Sequence, residues 1–255
     1  MKTSAVPKTR TRRTRLAKVG RIAERPVHGP SSPDLVVAAI KKGILMGRFV
    51  PGQRLIEADL TRDLKVSRGP VREALKRMAA EGVVALNPHR GAYVRALTRR
   101  EVTELMQVLE IVIGLAARLA ASRIKQEIRH RRDSSRIKLT LAFKRLEALG
   151  VASGRIMQSI ERTSLYDAIF EIAGNNELVR INPVVPTQIL RMQIHAYIPV
   201  DQRNQQFADY RLLYEALMEG DSKRANRIVE LHVRRSRMQI QHAPDEAFAM
   251  DLAAG

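Results

Sequence analysis

The feature that most constrains this fold is an ordered series of helix and turn signals between residues 32 and 95. Ser32-Pro33 is a typical first turn of a helix, and apolar residues follow it at helical spacing until Gly47. Pro51-Gly52 then forms a turn, and a short amphipathic helix is predicted over about 57–64. The series therefore begins with two short helices, each with one apolar face.

A third helix is predicted directly after the second. Lys65-Val66-Ser67 is a tight turn in which Ser67 can act as the N-cap. Pro70 lies in the first turn, where its missing N–H costs little, and Gly82 ends the helix. The residues expected on the buried face are Val71, Ala74, Leu75 and Met78. Two helices joined by such a turn predict a helix–turn–helix, whose second helix enters the major groove of DNA.

The face of the third helix that is expected to be exposed is basic. It carries Arg68, Arg72, Lys76 and Arg77. An arginine fork can bond two acceptors of guanine at once, which is worth about 1–3 kcal/mol of base discrimination. Ser67 and the free N–H groups at the helix start can hold a phosphate. Any amphipathic helix also turns basic residues to water, so this face alone leaves a merely solvated surface equally open.

A basic hairpin follows the third helix. Two strand-like runs, 83–86 and 92–94, flank the segment Asn87–Gly91, with Arg90 at the tip. This arrangement is typical of the wing of a winged helix, where Arg90 can contact the DNA backbone or the minor groove. The complete series of helix, turn, helix, basic helix and basic hairpin is much harder to obtain by chance than any of its parts.

Four strings in this region carry a family resemblance: Gly47–Leu55, Val66–Leu75, Glu81–Val84 and Arg90–Val94. Together they resemble the DNA-binding domain of the GntR family of bacterial transcription regulators. The resemblance implies a winged helix that binds a palindromic operator as a dimer. Its implied operator contacts are Ser67, Arg68, Arg72, Arg90 and Gly91. Gly69 and Lys76 on the same helix are also predicted to bind DNA. Ala58 departs from the family, because some members contact DNA through an arginine in that part of the second helix.

The rest of the chain is predicted to be helical. Thr98 and Glu101 form a capping box at the start of a long amphipathic helix. Further helices are expected at about 136–149, 153–173, 177–182, 187–198, 204–219 and 222–241. The predicted fold class is therefore mainly α, with a winged helix-turn-helix over 32–97, an all-α helical bundle over 98–242 and a flexible tail over 243–255.

The helical half resembles the FCD effector domain of the FadR-like branch of the same family. The residues that carry this resemblance are Leu109-Glu110, Ala116–Ala121, Ala173-Gly174-Asn175, Leu178, Ala216–Asp221, Ala225 and His232. The resemblance implies a domain that dimerises and holds a small ligand, often a carboxylate, among its helices.

Many FCD domains also bind a divalent metal through Asp-x3-His and two later histidines, and this chain departs from that pattern. The first three positions fall on Arg162, Tyr166 and Tyr210, and only the last, His232, keeps a histidine. An arginine does not ligate a metal at ordinary pH, and one imidazole with two neutral phenols is a poor transition-metal site. We therefore expect no metal and no other cofactor.

Arg162 instead places a permanent positive charge at this site, with Tyr166 one turn later on the same helix face. With Tyr210 and His232 as hydrogen-bonding groups, the set predicts an effector pocket that binds a carboxylate or phosphate directly. Two alternatives stay open: the cavity is closed around buried structural partners, or Arg162 faces solvent because the alignment is displaced by one turn. His195 is a further candidate, although a lone histidine on an apolar helix is more often a core residue.

The charge of the chain is concentrated at its start. Lys and Arg outnumber Asp and Glu by 45 to 26, and the first 30 residues hold nine of the basic residues against Glu24 alone. With three prolines and no apolar period, residues 1–31 are expected to form a disordered basic arm. Three interpretations of the arm stay open: non-specific attraction to a polyanion, a solubilising tail, or a transit peptide.

Absences in the sequence disfavour several function classes. Without cysteine there is no disulfide and no thiolate metal site. No apolar run reaches the roughly 18 residues of a membrane span, and the start of the chain lacks the apolar core of a secretion signal. Aromatic residues make up only 4% of the chain, too few for a platform that stacks single-stranded bases. No P-loop, GxGxxG, HExxH or GxSxG string is present, so we do not expect this protein to be an enzyme.

These observations predict a cytoplasmic, nucleoid-associated transcription regulator, most often a repressor in this family. Its expected partners are double-stranded operator DNA, a small acidic metabolite and a second copy of the chain, with no membrane partner. A ligand in the helical bundle would favour one relative placement of the two winged helices and so change operator binding. A non-specific basic nucleic-acid-binding or architectural protein is the alternative, and a metal-dependent enzyme on a helical bundle is a third hypothesis.

Overall fold

The computed structural model describes residues 31–150 and 154–250, which are mainly helical and confirm the predicted fold class. The helices are α1 (Ser32–Leu45), α2 (Glu57–Leu64), α3 (Arg68–Ala80), α4 (Arg99–Arg129), α5 (Ser134–Leu149), α6 (Arg155–Ala173), α7 (Asn176–Ile181), α8 (Val184–Ile194), α9 (Val200–Met218) and α10 (Ser222–Gln241). The strands are β1 (Arg54–Leu55), β2 (Val84–Asn87) and β3 (Gly91–Val94). Apart from Ser31, the predicted basic arm lies outside the described residues.

The first three helices and the small sheet form the winged helix-turn-helix. The apolar stripe predicted for α3, from Val71 to Met78, is buried where this helix packs against α1 and α2. The three antiparallel strands follow the order β1-β3-β2, so that Arg54 pairs with Tyr93 on one side of the central strand. Strand β1 was not predicted from the sequence, because two residues are too few to show an alternating pattern.

Helix α4 is the central element of the second half of the chain. The Thr98 side chain accepts the Glu101 N–H and the Glu101 side chain accepts the Thr98 N–H, which confirms the predicted capping box. On the predicted inner face, Val102, Met106 and Leu109 are buried among the packed helices α6, α9 and α10. Of the described helices, α4 alone is long and apolar enough to cross a membrane, but 56% of its apolar window is buried, as in the core helix of a soluble protein.

Two predicted helix starts differ from the structure. Helix α8 begins at Val184 rather than near 187, with Pro186 inside its first turn, where a missing N–H leaves no helical hydrogen bond unmade. Helix α9 begins at Val200, directly after Pro199, rather than near 204. These prolines therefore open the two helices instead of separating them.

The first part of the C-terminal tail is folded, which corrects the expectation of a flexible tail from residue 243; residues 251–255 of the predicted tail lie outside the described residues. Ala247 is buried, and the Arg99 guanidinium lies 4.2 Å from the centroid of the Phe248 ring. Arg99 also donates to the Ala243 carbonyl at 2.8 Å and to the Asp245 carboxylate at 2.7 Å. Ala243 and Asp245 lie 144 and 146 positions after Arg99 in the chain, and a local sequence pattern does not reveal contacts over such distances.

Candidate functional site: DNA-binding face and effector cavity

The residues predicted to contact DNA are all exposed. Those residues, which we call the DNA-binding face, are Ser67, Arg68, Gly69, Arg72 and Lys76 on α3 and its N-cap, and Arg90 and Gly91 at the tip of the β2–β3 hairpin. The opposite side of α3 is closed, since Val71 and Met78 are fully buried. A helix anchored on its apolar side can present its other side to a groove of DNA.

Two basic side chains of α3 are held by ion pairs. Arg72 Nε donates to Glu57 Oε2 at 2.9 Å, which joins the outer face of α3 to the first residue of α2. Arg77 donates to the Asp34 carboxylate of α1 at 2.7 Å, and this hydrogen bond raises the pKa of Arg77. Arg77 therefore ties α3 to α1, whereas Arg72 remains on the outer face with 62% of its side chain exposed.

The start of α3 differs in one detail from the prediction. Ser67 has the extended backbone of an N-cap residue, as expected, but its side chain makes no capping hydrogen bond. The first N–H groups of a helix have no partner within the helix. Ser67 and these N–H groups can therefore donate to a phosphate oxygen, as the sequence predicts.

An arginine that the sequence analysis missed lies beside the hairpin tip. Gly91 has a φ of +89°, a conformation that glycine adopts without strain, and it pairs with Asn87 where the hairpin turns. A Cβ at Gly91 would lie 3.6 Å from Nε of Arg54, so the exposed Arg54 side chain lies beside the tip. The two arginines, Arg54 and Arg90, make this end of the hairpin strongly basic.

The residues predicted to bind the effector line one cavity of about 80 Å³, which we call the effector cavity. They are Arg162 and Tyr166 on α6, His195 directly after α8, Tyr210 on α9 and His232 on α10. The edges of the two tyrosine rings meet at a centroid distance of 6.1 Å. The structure thus brings together all five side chains, although they come from positions up to 70 residues apart.

Arg162 is buried and points into this group rather than to solvent. Its side chain is only 6% exposed, and its guanidinium lies 5.8 Å from the ring centroids of both Phe207 and Tyr210. It donates one long hydrogen bond, of 3.3 Å, to the Gln158 side chain. Stacking on aromatic rings holds the cation in place while leaving most of its donors for another acceptor.

One wall of the effector cavity is held by a buried carboxylate. Asp209 accepts hydrogen bonds from His232 Nδ1 at 2.9 Å and from Arg235 at 2.8 and 2.9 Å. Burial raises the pKa of Asp209, but the hydrogen bonds from His232 and Arg235 outweigh burial and keep that pKa below its ordinary value. Asp209 fixes the orientation of the His232 ring, which lies 5.1 Å from the Tyr210 ring.

A second arginine of the effector cavity, Arg191 on α8, was missed by the sequence analysis. It donates to Thr163 Oγ1 at 3.0 Å and lies 5.6 Å from the centroid of the Tyr166 ring. Burial lowers the pKa of Arg191 and raises that of Tyr166. Arg191 precedes His195 by one helical turn, and this spacing is the signal that could have placed it at the same site.

The donor set of the effector cavity does not fit a metal ion. Within residues 31–150 and 154–250, no three His, Cys, Asp or Glu side chains are grouped closely enough to hold one. The single histidine at the expected position, His232, is bound through Nδ1 to Asp209. The neighbouring Arg162 is a cation, which repels a metal ion rather than binding it.

Helix α8 connects the effector cavity to the winged helix. Arg191 lies on its cavity side. The buried Gln188 donates to the carbonyl of Leu45, the last residue of α1, at 3.2 Å. Gln193 donates to the Leu97 carbonyl at 2.7 Å and accepts the Leu97 N–H at 2.9 Å. One helix thus contacts the cavity, the end of α1 and the segment before α4.

Comparison with known protein families gives two matches, one in each half of the chain. Residues 34–94 match the profile described as bacterial regulatory proteins of the gntR family. Residues 101–235 match the profile of the FCD domain. The two matches coincide with the winged helix-turn-helix and with the helical domain that contains the effector cavity.

Comparison with individual proteins agrees with the two family matches. The chain is 25% identical, over 74% of its own length and 80% of the relative's, to a probable D-xylose utilization operon transcriptional repressor of Paenarthrobacter nicotinovorans. It is also 23% identical to the HTH-type transcriptional regulator YdhC of Bacillus subtilis, over 81% of its own length and 90% of the relative's. Among solved structures, E. coli McbR/YncC has a TM-score of 0.69 at 20% identity, covering 83% of this chain and 97% of that one, which shows a common fold.

Proposed function

Since the chain belongs to the GntR family of bacterial regulatory proteins, with an FCD domain behind its winged helix, we propose that it binds a two-fold-symmetric operator as a dimer under the control of a small organic anion. It is a DNA-binding transcriptional regulator, as its named relatives are. Members of this family are regulators rather than enzymes. The proposal extends to repression of nearby genes, in the cytoplasm and at the nucleoid.

The DNA-binding face supports operator binding. The α3 helix carries Arg68, Arg72 and Lys76 on its exposed side, the hairpin adds Arg90, and Arg54 on β1 lies beside the hairpin tip. Arginine on a helix that enters the major groove reads guanine through two acceptors at once, while basic groups at a hairpin tip contact phosphates or the minor groove. The combination favours selective binding over a purely electrostatic attraction.

A stripe of apolar side chains on α4 supports a dimer. In this α4 stripe, Val108 and Ile111 are 53% and 69% exposed, and the partly buried Leu115 continues the line one turn later. An exposed apolar line on a helix is typical of a surface that another protein covers. A second copy of the chain, related by a two-fold axis, would bury the same stripe on both subunits and match a palindromic operator.

Replacing Ile111 by glutamate is expected to convert the dimer to a monomer, because two carboxylates would face each other across the stripe. Sedimentation velocity should show the mass fall from two chains to one. Val179→Glu, at a comparably exposed apolar residue on α7, should leave the dimer intact. A dimer that survives Ile111→Glu would place the subunit interface elsewhere.

We propose that the effector cavity binds a carboxylate or phosphate directly, without a metal ion. Support comes from Arg162, whose buried guanidinium faces the cavity, and from the hydrogen-bonding groups of Tyr166, Tyr210 and His232 beside it. His195 lies at the edge of the same cavity and contacts Arg203 at 3.4 Å. An arginine fork matches the two oxygens of a carboxylate, so it can supply the charge that a metal ion supplies in other FCD domains.

Helix α8 supplies a physical route from effector to operator. An anion drawn toward Arg191 changes the position that α8 prefers, and Gln188 and Gln193 on that helix are bonded to Leu45 and Leu97. A ligand shifts an equilibrium only when it binds the two placements with different affinity. The proposed control is therefore a shift in population between placements of the winged helices relative to the effector domain.

The test of this function is selection of genomic fragments by the purified full-length protein at about 150 mM salt, where the Debye length is about 8 Å. Sequence-independent binding falls steeply as salt rises. Recovery of fragments that share a two-fold-symmetric site would support the proposal. Recovery of unrelated fragments would favour the alternative of a non-specific basic nucleic-acid-binding protein.

A further inference from the structure

We propose that the ligand of the effector cavity is a compact dianion, a short dicarboxylate, held by Arg162 and Arg191 together. This inference rests on the proposed function, because it assumes that the cavity binds a small organic anion. Beyond the proposed function, it specifies that the ligand carries two negative charges, that the ligand is small, and that Arg191 binds it together with Arg162.

The first argument is the charge around the cavity. Both guanidiniums line it, and each lies against one ring of the Tyr166–Tyr210 pair. Among the described residues, no carboxylate oxygen lies within 4.0 Å of a guanidinium nitrogen of either arginine, so neither forms an ion pair. Arg162 is buried and Arg191 is half-buried. Cations that are withdrawn from water without an ion-pair partner are costly for a fold to retain, so a ligand that brings two negative charges would stabilise them both.

The nearby acidic groups do not fill this role. Asp209 is already bonded to His232 and to Arg235, a third cation at the same wall. Asp167 acts on Arg191 without forming a hydrogen bond to it. The cavity therefore keeps an excess of positive charge that one carboxylate would only half neutralise.

The second argument is a set of donors without acceptors. Among the described residues, the Nε of Arg162 is buried with no hydrogen-bond partner, and so is the hydroxyl of Thr187 on α8. Both residues line the effector cavity. A buried donor without a partner loses its water without compensation, and the oxygens of a bound carboxylate would satisfy these groups.

The third argument is the size and lining of the cavity. Its volume of about 80 Å³ corresponds to about five to eight water-sized positions, at about 10–15 Å³ each. Apart from Gln206 and Ser236, the remaining walls are apolar, formed by Met106, Leu109, Ile113, Leu190, Ile194, Ile198, Val233 and Ile240. Such walls contact methylene groups favourably, which favours a diacid with a short carbon chain over inorganic phosphate.

The test measures thermal unfolding and calorimetric binding of the full-length protein after EDTA treatment, with malonate, succinate, acetate or inorganic phosphate as the probe. A ligand that binds only the folded state raises the Tm. We expect malonate or succinate to raise the Tm and to bind at one site per chain, and acetate at the same concentration to have no such effect. Added Zn²⁺ or Mn²⁺ should not strengthen the binding.

The variants Arg162→Met and Arg191→Met should each weaken dicarboxylate binding at least about tenfold, because each removes a charged donor pair. Arg180→Met, at an exposed arginine on α7, is the matched control and should bind as the unchanged protein does. The preference of the unchanged protein for dicarboxylate over acetate tests the proposal even if a buried variant fails to fold.

Three results would overturn the proposal: equal binding of acetate, equal binding of phosphate, or binding that requires an added metal. Absence of binding by malonate and succinate alike would also overturn it. Selection of genomic fragments is measured separately and without these probes. A protein that binds its operator but no dicarboxylate would refute this inference alone, whereas a protein that selects no operator would refute the proposed function.

Discussion

Replacing Arg72 by alanine is expected to weaken operator binding by about 1–3 kcal/mol and to relax base preference at one base pair in each half-site. The side chain lies on the outer face of α3, where its Nε is bonded to Glu57. This ion pair leaves the other nitrogens of the guanidinium to contact the two acceptors of a guanine. Competition binding with operator variants, each changed at one position, measures both effects.

The matched control for Arg72 is Arg180→Ala, which removes the same charge from an exposed site on α7. It should change operator affinity little. If Arg72→Ala weakens binding to all operator variants by the same factor, Arg72 contacts only the phosphate backbone. Unchanged operator affinity would contradict the assignment of α3 as the helix that enters the groove.

Replacing Asp209 by alanine is expected to lower the free energy of unfolding by about 2–3 kcal/mol at neutral pH. Loss of one partner of a fully buried ion pair costs about 3–5 kcal/mol, and the smaller value is expected because the Arg235 side chain is 37% exposed. His232 Nδ1 also loses its acceptor. Denaturant unfolding of both proteins measures the difference.

The Asp209 effect should depend on pH with a definite sign. The folded pKa of Asp209 lies below its ordinary value, so the ionised group stabilises the fold above the unfolded pKa of about 4. This contribution is lost as the pH falls through the folded pKa. The stability advantage over Asp209→Ala should therefore shrink below about pH 4.

The control for Asp209 is Asp201→Ala, which removes an exposed carboxylate from the first turn of the same helix, where its effect is expected to stay within about 1 kcal/mol. An Asp209→Ala protein as stable as this control at neutral pH would contradict the role assigned to the buried carboxylate. So would a difference in stability that grows on acidification.

The winged helix could be predicted from the sequence because its signals are local. Helical spacing, the Pro51-Gly52 turn, the stop at Gly82 and the capping box of Thr98 each involve residues within one or two turns of one another. Local patterns of this kind determine where a helix begins and which face is buried. The wing strand β1 was missed for the same reason, because its two residues are too short to form a pattern.

The effector cavity was predicted only in part, because its residues meet through contacts between distant helices. The family resemblance located Arg162 by its distance from Ala173-Gly174-Asn175, and His232 by its distance from Tyr210. Arg235 contacts Asp209 across 26 positions and Arg191 contacts Thr163 across 28, so the sequence does not show either contact. The only local signal is the one-turn spacing between Arg191 and His195. The excess of positive charge in the cavity emerges only when these helices pack together.

The most direct test of the account is the operator dissociation constant of the full-length protein with and without the dicarboxylate that stabilises it most, at about 150 mM salt. Coupling between two sites typically changes affinity by about 5–150-fold. We predict a change of at least about fivefold, reduced in Gln188→Leu. This variant loses the hydrogen bonds of Gln188 to Leu45 and to Ser159 but keeps the cavity arginines. A dicarboxylate that fills the cavity and leaves the operator dissociation constant unchanged would contradict the claim that this cavity controls DNA binding.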